Sequence, residues 1–378
     1  MRILGIERDT YACNHYRIVQ PLTKMKLQGL AECMTVYQNE MCEEFAQKAA
    51  LEADIILIQK PWDKKWFEFI KFCQKNGKII VVDFDDDPFN THPMNPFYRI
   101  SGIENVSYEW PDGSKEMLWQ DGQEGFSIER NIEWQDMFRA CFKKADLITS
   151  TTDILASEFG KINKSSVALP NLMDFNLFRK YDIKKKEIRI GYQGGQSHYP
   201  DIFMIKDAVT NVLRSNPNTK FVFAGDYRHV ALWQDIPTSQ FEFHRWEAFS
   251  SYPYKLPLLN LDIGLCPIVD NKFNRCKSSL KWLDYTSVGA ATIASDIPPY
   301  SVDITDGKDG LLVPPSKKQD QITKDWETAI TRLVSDTRLR RRLAKKAYEN
   351  AYENHNADKK AYLWRDAYEK ILNEEVIV

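Results

Sequence analysis

The chain has 378 residues, with 51 Lys and Arg against 53 Asp and Glu and a formal net charge of −2. That length predicts two domains, each large enough to bury its own core, and 43% hydrophobic with 28% charged residues excludes wholesale disorder. The near-neutral balance excludes a protein that holds nucleic acid by massive phosphate neutralisation, though not one that meets it briefly as a substrate.

In chain order, Arg2–Ile6 predicts a strand, a Glu- and Ala-rich helical stretch follows, and Ile55–Ile58 predicts a second strand. Lys64–Asn76 carries apolar residues at helical spacing and closes on Asn76-Gly77, a helix stop. Lys78–Phe84 (KIIVVDF) is a continuous β-branched run, as expected of a strand covered on both faces. Strand, helix and strand at this spacing imply a parallel βαβ unit. Residues 101–127 break the rhythm: Val106–Trp110 and Met117–Trp119 flank Pro111-Asp112-Gly113-Ser114, which predicts a β-hairpin insertion. A helix over 128–144, a strand at Asp146–Ser150, a helix near 152–160 and a strand at Ser166–Leu169 complete the first half.

The charged run Asp182–Glu187 (DIKKKE) reads as a solvated linker, after which the pattern restarts. Strands are predicted at Ile188–Tyr192, Lys220–Ala224, Leu261–Pro267, Ala291–Ala294 and Gly310–Val313. Helices are predicted at about 201–214, 278–288, 318–335, 336–353 and 356–373. The last has Tyr362, Leu363, Trp364, Ala367 and Tyr368 on or near one face. Two α/β halves follow, with ligands expected at the carboxyl ends of the strands.

Seven cysteines, at 13, 33, 42, 73, 141, 266 and 276, contain no CxxC pair, so neither a disulfide framework nor a zinc site is indicated. Met1–Ile6 runs directly into Glu7-Arg8-Asp9 without the apolar stretch of a signal peptide, and no apolar run approaches the ~18 residues of a membrane span. The expectation is a cytoplasmic protein without stable membrane insertion.

Several clusters have chemistry to offer. Gly194-Gly195 joins a strand to a helix, where backbone N–H groups and the helix dipole suit a diphosphate and Ser197 and His198 add hydrogen bonds; a tight turn needing positive φ accounts for the glycines equally well. Lys277 and Ser278 sit at a predicted helix start, where a cation, a hydroxyl and free N–H groups together hold phosphate, and Asp284 lies two turns on, suited to a ribose hydroxyl. The competing reading is an amphipathic helix with Leu280, Leu283 and Val288 in the core and Lys281 in solvent. Cys13-Asn14-His15-Tyr16-Arg17 follows the first strand: His15 suits a general base or a hydrogen bond to an acceptor, Arg17 suits a phosphate, and a helix cap explains the histidine as well. Asp85-Asp86-Asp87 ends a strand, where carboxylates suit a hard cation, acid/base work by Asp86 on an acceptor, or capping. Arg338–Arg342 with Lys345 and Lys346 reads as an ion-paired, solvated helix, with Asp336 and Glu349 four residues away from Arg340 and Lys345. Trp110 and Trp119 are either structural or an aromatic pair for stacking on a sugar or base.

The order IGYQGG, FAGD, LDIGLCP, KSSLKWLDYTSVGAATIASD and DGKDGLLV resembles the C-terminal half of GT-B glycosyltransferases, in particular the large retaining family 4-like group. The resemblance covers residues 186–350 well, and the N-terminal half more loosely through MRILGIERD, KIIVVDFDDDPF, ADLITSTTDILASEF and VALPN. It implies an α/β fold of two Rossmann-like domains facing an inter-domain cleft. Residues 1–180 would form the acceptor domain, 186–355 the nucleotide-sugar donor domain, and 356–378 a helix crossing back onto the first. The family's donor motif usually sets a Glu eight residues after another Glu. Asp284 takes the place of the second, which contacts the nucleotide ribose, and Cys276 falls at the first, which engages the donor sugar. That role then passes to neighbours such as Asn274 or Lys277.

Taken together, the residue chemistry and the resemblance give His15, Asp86 and Lys277 as catalytic candidates, and Arg17, Gly194, Gly195, Ser197, His198, Asn274, Lys277, Ser278 and Asp284 as donor-binding candidates. The resemblance further implies a hexosyl- or pentosyltransferase that retains configuration and requires no metal or other cofactor. The acceptor is either a saccharide or lipid-linked glycan, or a hydroxymethylated base in DNA, as for some viral members. The Asp85–Asp87 block, Asn95-Pro96-Phe97-Tyr98 and the hairpin are similar to phage-borne relatives. A catalytically silent nucleotide-sugar binding module, suggested by Cys276, is the alternative from another class.

Overall fold

Runs of β-branched and apolar residues become the interior strands of two parallel sheets, since a strand covered by helices on both faces needs apolar side chains in both directions. In the computed structural model, which describes residues 1–109, 113–181 and 183–375, the chain divides into Met1–Leu172 with Ala357–Val378, and Met173–Asn356.

The first unit holds strands β1 (Arg2–Glu7), β2 (Glu32–Tyr37), β3 (Ile55–Gln59), β4 (Ile79–Phe84), β5 (Val106–Glu109), β6 (Lys115–Trp119), β7 (Leu147–Ser150) and β8 (Ser166–Ala168). Six of them form a parallel sheet in the order β2-β1-β3-β4-β7-β8. The sequence pattern predicts β1, β3, β4, β7 and β8 but not β2, an edge strand whose side chains alternate between exposed and buried. β5 and β6 pair antiparallel as the expected hairpin; Trp110 and the Pro111-Asp112 turn lie outside the described residues. Trp119 is structural: its indole N–H donates to the Pro93 carbonyl at 2.7 Å and its ring packs against Tyr98 and Phe126. The C-terminal segment breaks into Ala357–Lys360 and Tyr362–Glu375. Trp364 and Tyr368, four residues apart, are buried in this unit's core beside Ile3, Leu22 and Leu57, each removing ~150–250 Å² from water. Tyr362 faces outward.

The second unit holds β9 (Ile188–Gly194), β10 (Thr219–Gly225), β11 (Phe241–Arg245), β12 (Ile263–Cys266), β13 (Ala291–Ser295) and β14 (Leu311–Val313). They form a parallel sheet in the order β11-β10-β9-β12-β13-β14. Helices Tyr199–Ser215 and Gln319–Ser335 pack on each other and bury Ile202, Ile205, Val209, Trp326 and Ile330 against it.

The unit boundary falls at Leu172, ahead of the charged run. Residues 173–181 are already held by the second unit: the Met173 N–H donates to the His355 carbonyl, Phe175 packs on Tyr348 and Tyr352, and Phe178 on Tyr252. Asp182 is outside the described residues, but the rest of the run is not a free linker, because Lys185 pairs with Asp262 at 2.8 Å and Glu187 with Arg189 at 3.2 Å. The basic helix Thr337–Asn354 also departs from the solvated reading. Lys345 and Lys346 do pair with Glu349, but Arg340 is buried and donates to the Leu333 and Val334 carbonyls that end the preceding helix. Asp336 caps the Leu339 N–H instead of pairing with Arg340. Among the described residues no helix is long and apolar enough to cross a membrane.

Candidate functional site

In the second unit β10 and β12 flank β9 on opposite sides, so the chain order reverses there, and the carboxyl ends of these strands are where a parallel sheet offers a ligand crevice. β9 ends at Gly194; Gly195 caps a short 3-10 turn, Gln196–His198, that leads into helix Tyr199–Ser215. Neither glycine has positive φ, Gly195 lying at φ −80°, so turn strain is not the reason for them. At Gly194 space is the reason, since a Cβ there would sit 2.6 Å from the Tyr192 hydroxyl; one on Gly195 would project into open space. The backbone at Gly195 is therefore open to close approach by a ligand. Ser197 lies half-buried in the 3-10 turn.

The opposite wall comes from the segment after β12. Asn271 caps a short helix, Lys272–Arg275, and Lys277 and Ser278 lead into helix Leu280–Ser287. Asn274, expected at the donor sugar, instead braces this loop: it is buried, its N–H donates to the Asn271 side chain and its Nδ2 to the Val269 carbonyl at 2.8 Å. Cys276 is 1% exposed, so the position that resemblance assigns to a sugar-binding Glu is an interior thiol. Lys277 is half-buried, its ammonium 4.5 Å from the Phe273 ring centre.

Lys281, expected in solvent, points inward. Its ammonium donates to His198 Nε2 at 2.9 Å and lies 5.7 Å from the Tyr192 ring centre. Burial, with Lys277 nearby, pushes this lysine down to about 8. His198 bonds Asp201 through Nδ1 at 2.7 Å, and burial followed by the Lys281 charge pushes the imidazole down to about 4. Asp284 is buried, and its Oδ2 accepts from Gln193 Nε2 at 2.6 Å and the Tyr252 hydroxyl at 2.9 Å. The structure thus brings Gly194, Gly195, His198 and Asp284 to one sheet edge and adds Gln193, Asp201, Tyr252 and Lys281.

The first unit corrects Arg17. Residues 12–27 are helical throughout, with a π-helical turn at His15–Val19 that carries Arg17. Its guanidinium is buried and all five donors are engaged, Nε and Nη2 by Asp83, Nη1 by the Leu169 carbonyl and Asn171, and Nη2 also by the Ser150 carbonyl. Thr149 adds a hydroxyl donor to Asp83 at 2.7 Å. No donor is left for a phosphate. His15 is half-buried in the same turn, its ring edge-on to Tyr16. In the acidic block, Asp85 pairs with Lys60, and Asp87 accepts from the Phe89 N–H and from Asn90 Nδ2. Burial alone would raise the Asp85 carboxyl, but the Lys60 charge outweighs it and holds it well below the usual range. Asp86 is the half-buried member of the three.

No protein-family model matches the chain, and no curated protein matches its sequence significantly. Solved structures do match its fold. The Anabaena protein Alr3699/HepE in complex with UDP is 12% identical, with TM-score 0.63 over 98% of this chain and 100% of that one. Sucrose-phosphate synthase of Thermosynechococcus elongatus is 13% identical, with TM-score 0.62 over 99% and 100%. A Rickettsia africae glycosyltransferase is 10% identical, with TM-score 0.62 over 98% of each. The fold is the GT-B architecture, with two Rossmann-like bodies.

Proposed function

We propose that the chain is a glycosyltransferase that moves a sugar from a nucleotide-sugar donor to an acceptor hydroxyl, with the donor held in the second unit. The observation that carries this reading is the open Gly195 backbone at the end of β9 facing the Lys277–Lys281 segment at the switch point of the sheet. An anionic diphosphate placed there meets the open Gly195 backbone and the ammonium groups of Lys277 and Lys281, and the charge that develops on the departing diphosphate is what such groups stabilise in the transition state. With lysines meeting that charge, the transfer is proposed to proceed without a metal. HepE has been solved with UDP-glucose, which makes uridine diphosphate sugars the first donors to try.

The acceptor is proposed to be a saccharide hydroxyl and not a base in DNA. The insertion around the hairpin carries Glu104, Glu109, Glu116, Asp121 and Glu124 against Lys115, a surface that repels a phosphate backbone. Retention at the anomeric carbon completes the proposal.

The test is incubation with UDP-, GDP- and ADP-sugars, with and without an oligosaccharide acceptor pool and with EDTA. Slow release of nucleoside diphosphate without acceptor, faster release with it, and indifference to EDTA are expected, and the anomeric proton coupling of the product reads the stereochemistry. Tight donor binding without turnover under any condition would instead identify a silent binding module.

A further inference from the structure

The His198 ring lies between a carboxylate and an ammonium, and the chemistry of the two fixes its proton. Asp201 is 2% exposed; its Oδ1 accepts the Val269 N–H at 2.8 Å and its Oδ2 faces His198 Nδ1. A carboxylate only accepts, so Nδ1 carries the proton and Nε2 presents its lone pair to the Lys281 ammonium. One buried carboxylate therefore ties the loop after β12 to the turn after β9 and sets which histidine nitrogen meets Lys281.

We propose that Asp201 and His198 form a positioning relay that holds Lys281 at the end of β9 as the ammonium that meets the donor's diphosphate. The proposal rests on the donor-site reading above. His198 remains neutral near pH 7 because burial and Lys281 both disfavour its charged form, so the positive charge at this point belongs to Lys281. The groups facing Lys281 are His198, Asp201, Lys277, Cys266, Asp284 and the Tyr192 ring; burial and Lys277 lower its affinity for a proton, and Asp201, Cys266 and Asp284 raise it. The lysine is thus held in place by a neutral acceptor, and an arriving diphosphate supplies the counter-charge.

Asp201→Asn separates this role from simple packing. The amide has one oxygen; if that oxygen keeps the Val269 N–H, the NH₂ group faces His198 Nδ1, the ring proton moves to Nε2, and an N–H then points at the ammonium. UDP affinity should fall about tenfold or more at pH 7, and its loss at alkaline pH should begin at lower pH than in the wild type. His198→Gln, whose amide oxygen can still accept from Lys281, should keep most of the affinity that His198→Ala loses. If Asp201→Asn fails to fold, ¹⁵N-histidine spectra of the wild type still decide the matter: an Nδ1–H tautomer for His198 is expected, and an Nε2–H tautomer overturns the relay. An unchanged pH profile in a folded Asp201→Asn also overturns it. A wild type that binds none of UDP, GDP and ADP overturns the donor-site reading itself, and the relay with it.

Discussion

Arg17 in the first unit and Lys281 in the second are both drawn inward near the carboxyl edge of a parallel sheet, and they have opposite fates. Arg17 is fully saturated by Asp83 of β4, the Ser150 carbonyl of β7, and the Leu169 carbonyl and Asn171 side chain after β8. Its charge is cancelled by a carboxylate that is itself buried. Lys281 has a neutral imidazole as its hydrogen-bond acceptor, and burial together with Lys277 outweighs the pull of Asp201 and Asp284 on its charge. A buried cation whose donors are all engaged by the protein holds strands together, whereas one left under-neutralised is set up for an anionic ligand. Position alone therefore does not distinguish a structural cation from a binding one; the inventory of acceptors does.

The largest effect expected from breaking this comparison is on stability. Arg17→Met leaves Asp83 charged and unpaired inside β4, at a cost of about 3–5 kcal/mol, read by denaturant unfolding as a lower midpoint, or as failure to express. Lys281→Met removes a cation that is costly to bury, so the same unfolding measurement should show equal or higher stability. Its deficit should appear in calorimetry with UDP, as about a hundredfold loss of affinity, the worth of a charge-assisted phosphate contact. An Arg17 variant that folds normally, or a Lys281 variant that binds UDP normally, would erase the distinction.

The interior of both sheets was legible because strands such as Ile79–Phe84 are buried at every position and so read as unbroken apolar runs. The edge strands β2 (ECMTVY) and β11 (FEFHR) were not, since half their side chains meet water and the pattern is diluted with charge. Arg17 was misread from its place after the first strand. The better signal was Asp83, a carboxylate inside a strand covered on both faces, which demands a cation somewhere in the same unit. In the candidate site the glycine turn and the Lys277–Asp284 segment stood out, and the His198–Asp201 spacing of three residues on a helix start was readable. The bond from Lys281 to His198 spans 83 residues and depends on how β9 and β12 lie side by side, which no local periodicity encodes.

The comparison can be sharpened by pH, where the two consequences of an under-neutralised lysine have opposite signs. Lys281 is held at about 8, below the ordinary 10.5. Between those values the unfolded chain binds a proton that the folded chain does not, so this residue's contribution to stability rises as pH increases from 8 toward 10.5. The neutral amine formed over the same range no longer attracts a diphosphate. UDP affinity should fall about tenfold between pH 7 and pH 9, while wild-type stability gains on Lys281→Met over pH 8–10 by on the order of 1–3 kcal/mol. Measuring both quantities against Lys281→Met removes the contribution of every other titrating group. Affinity and stability that move in the same direction would mean that the lysine is neutralised in the free protein, as Arg17 is, and is not held ready for a ligand.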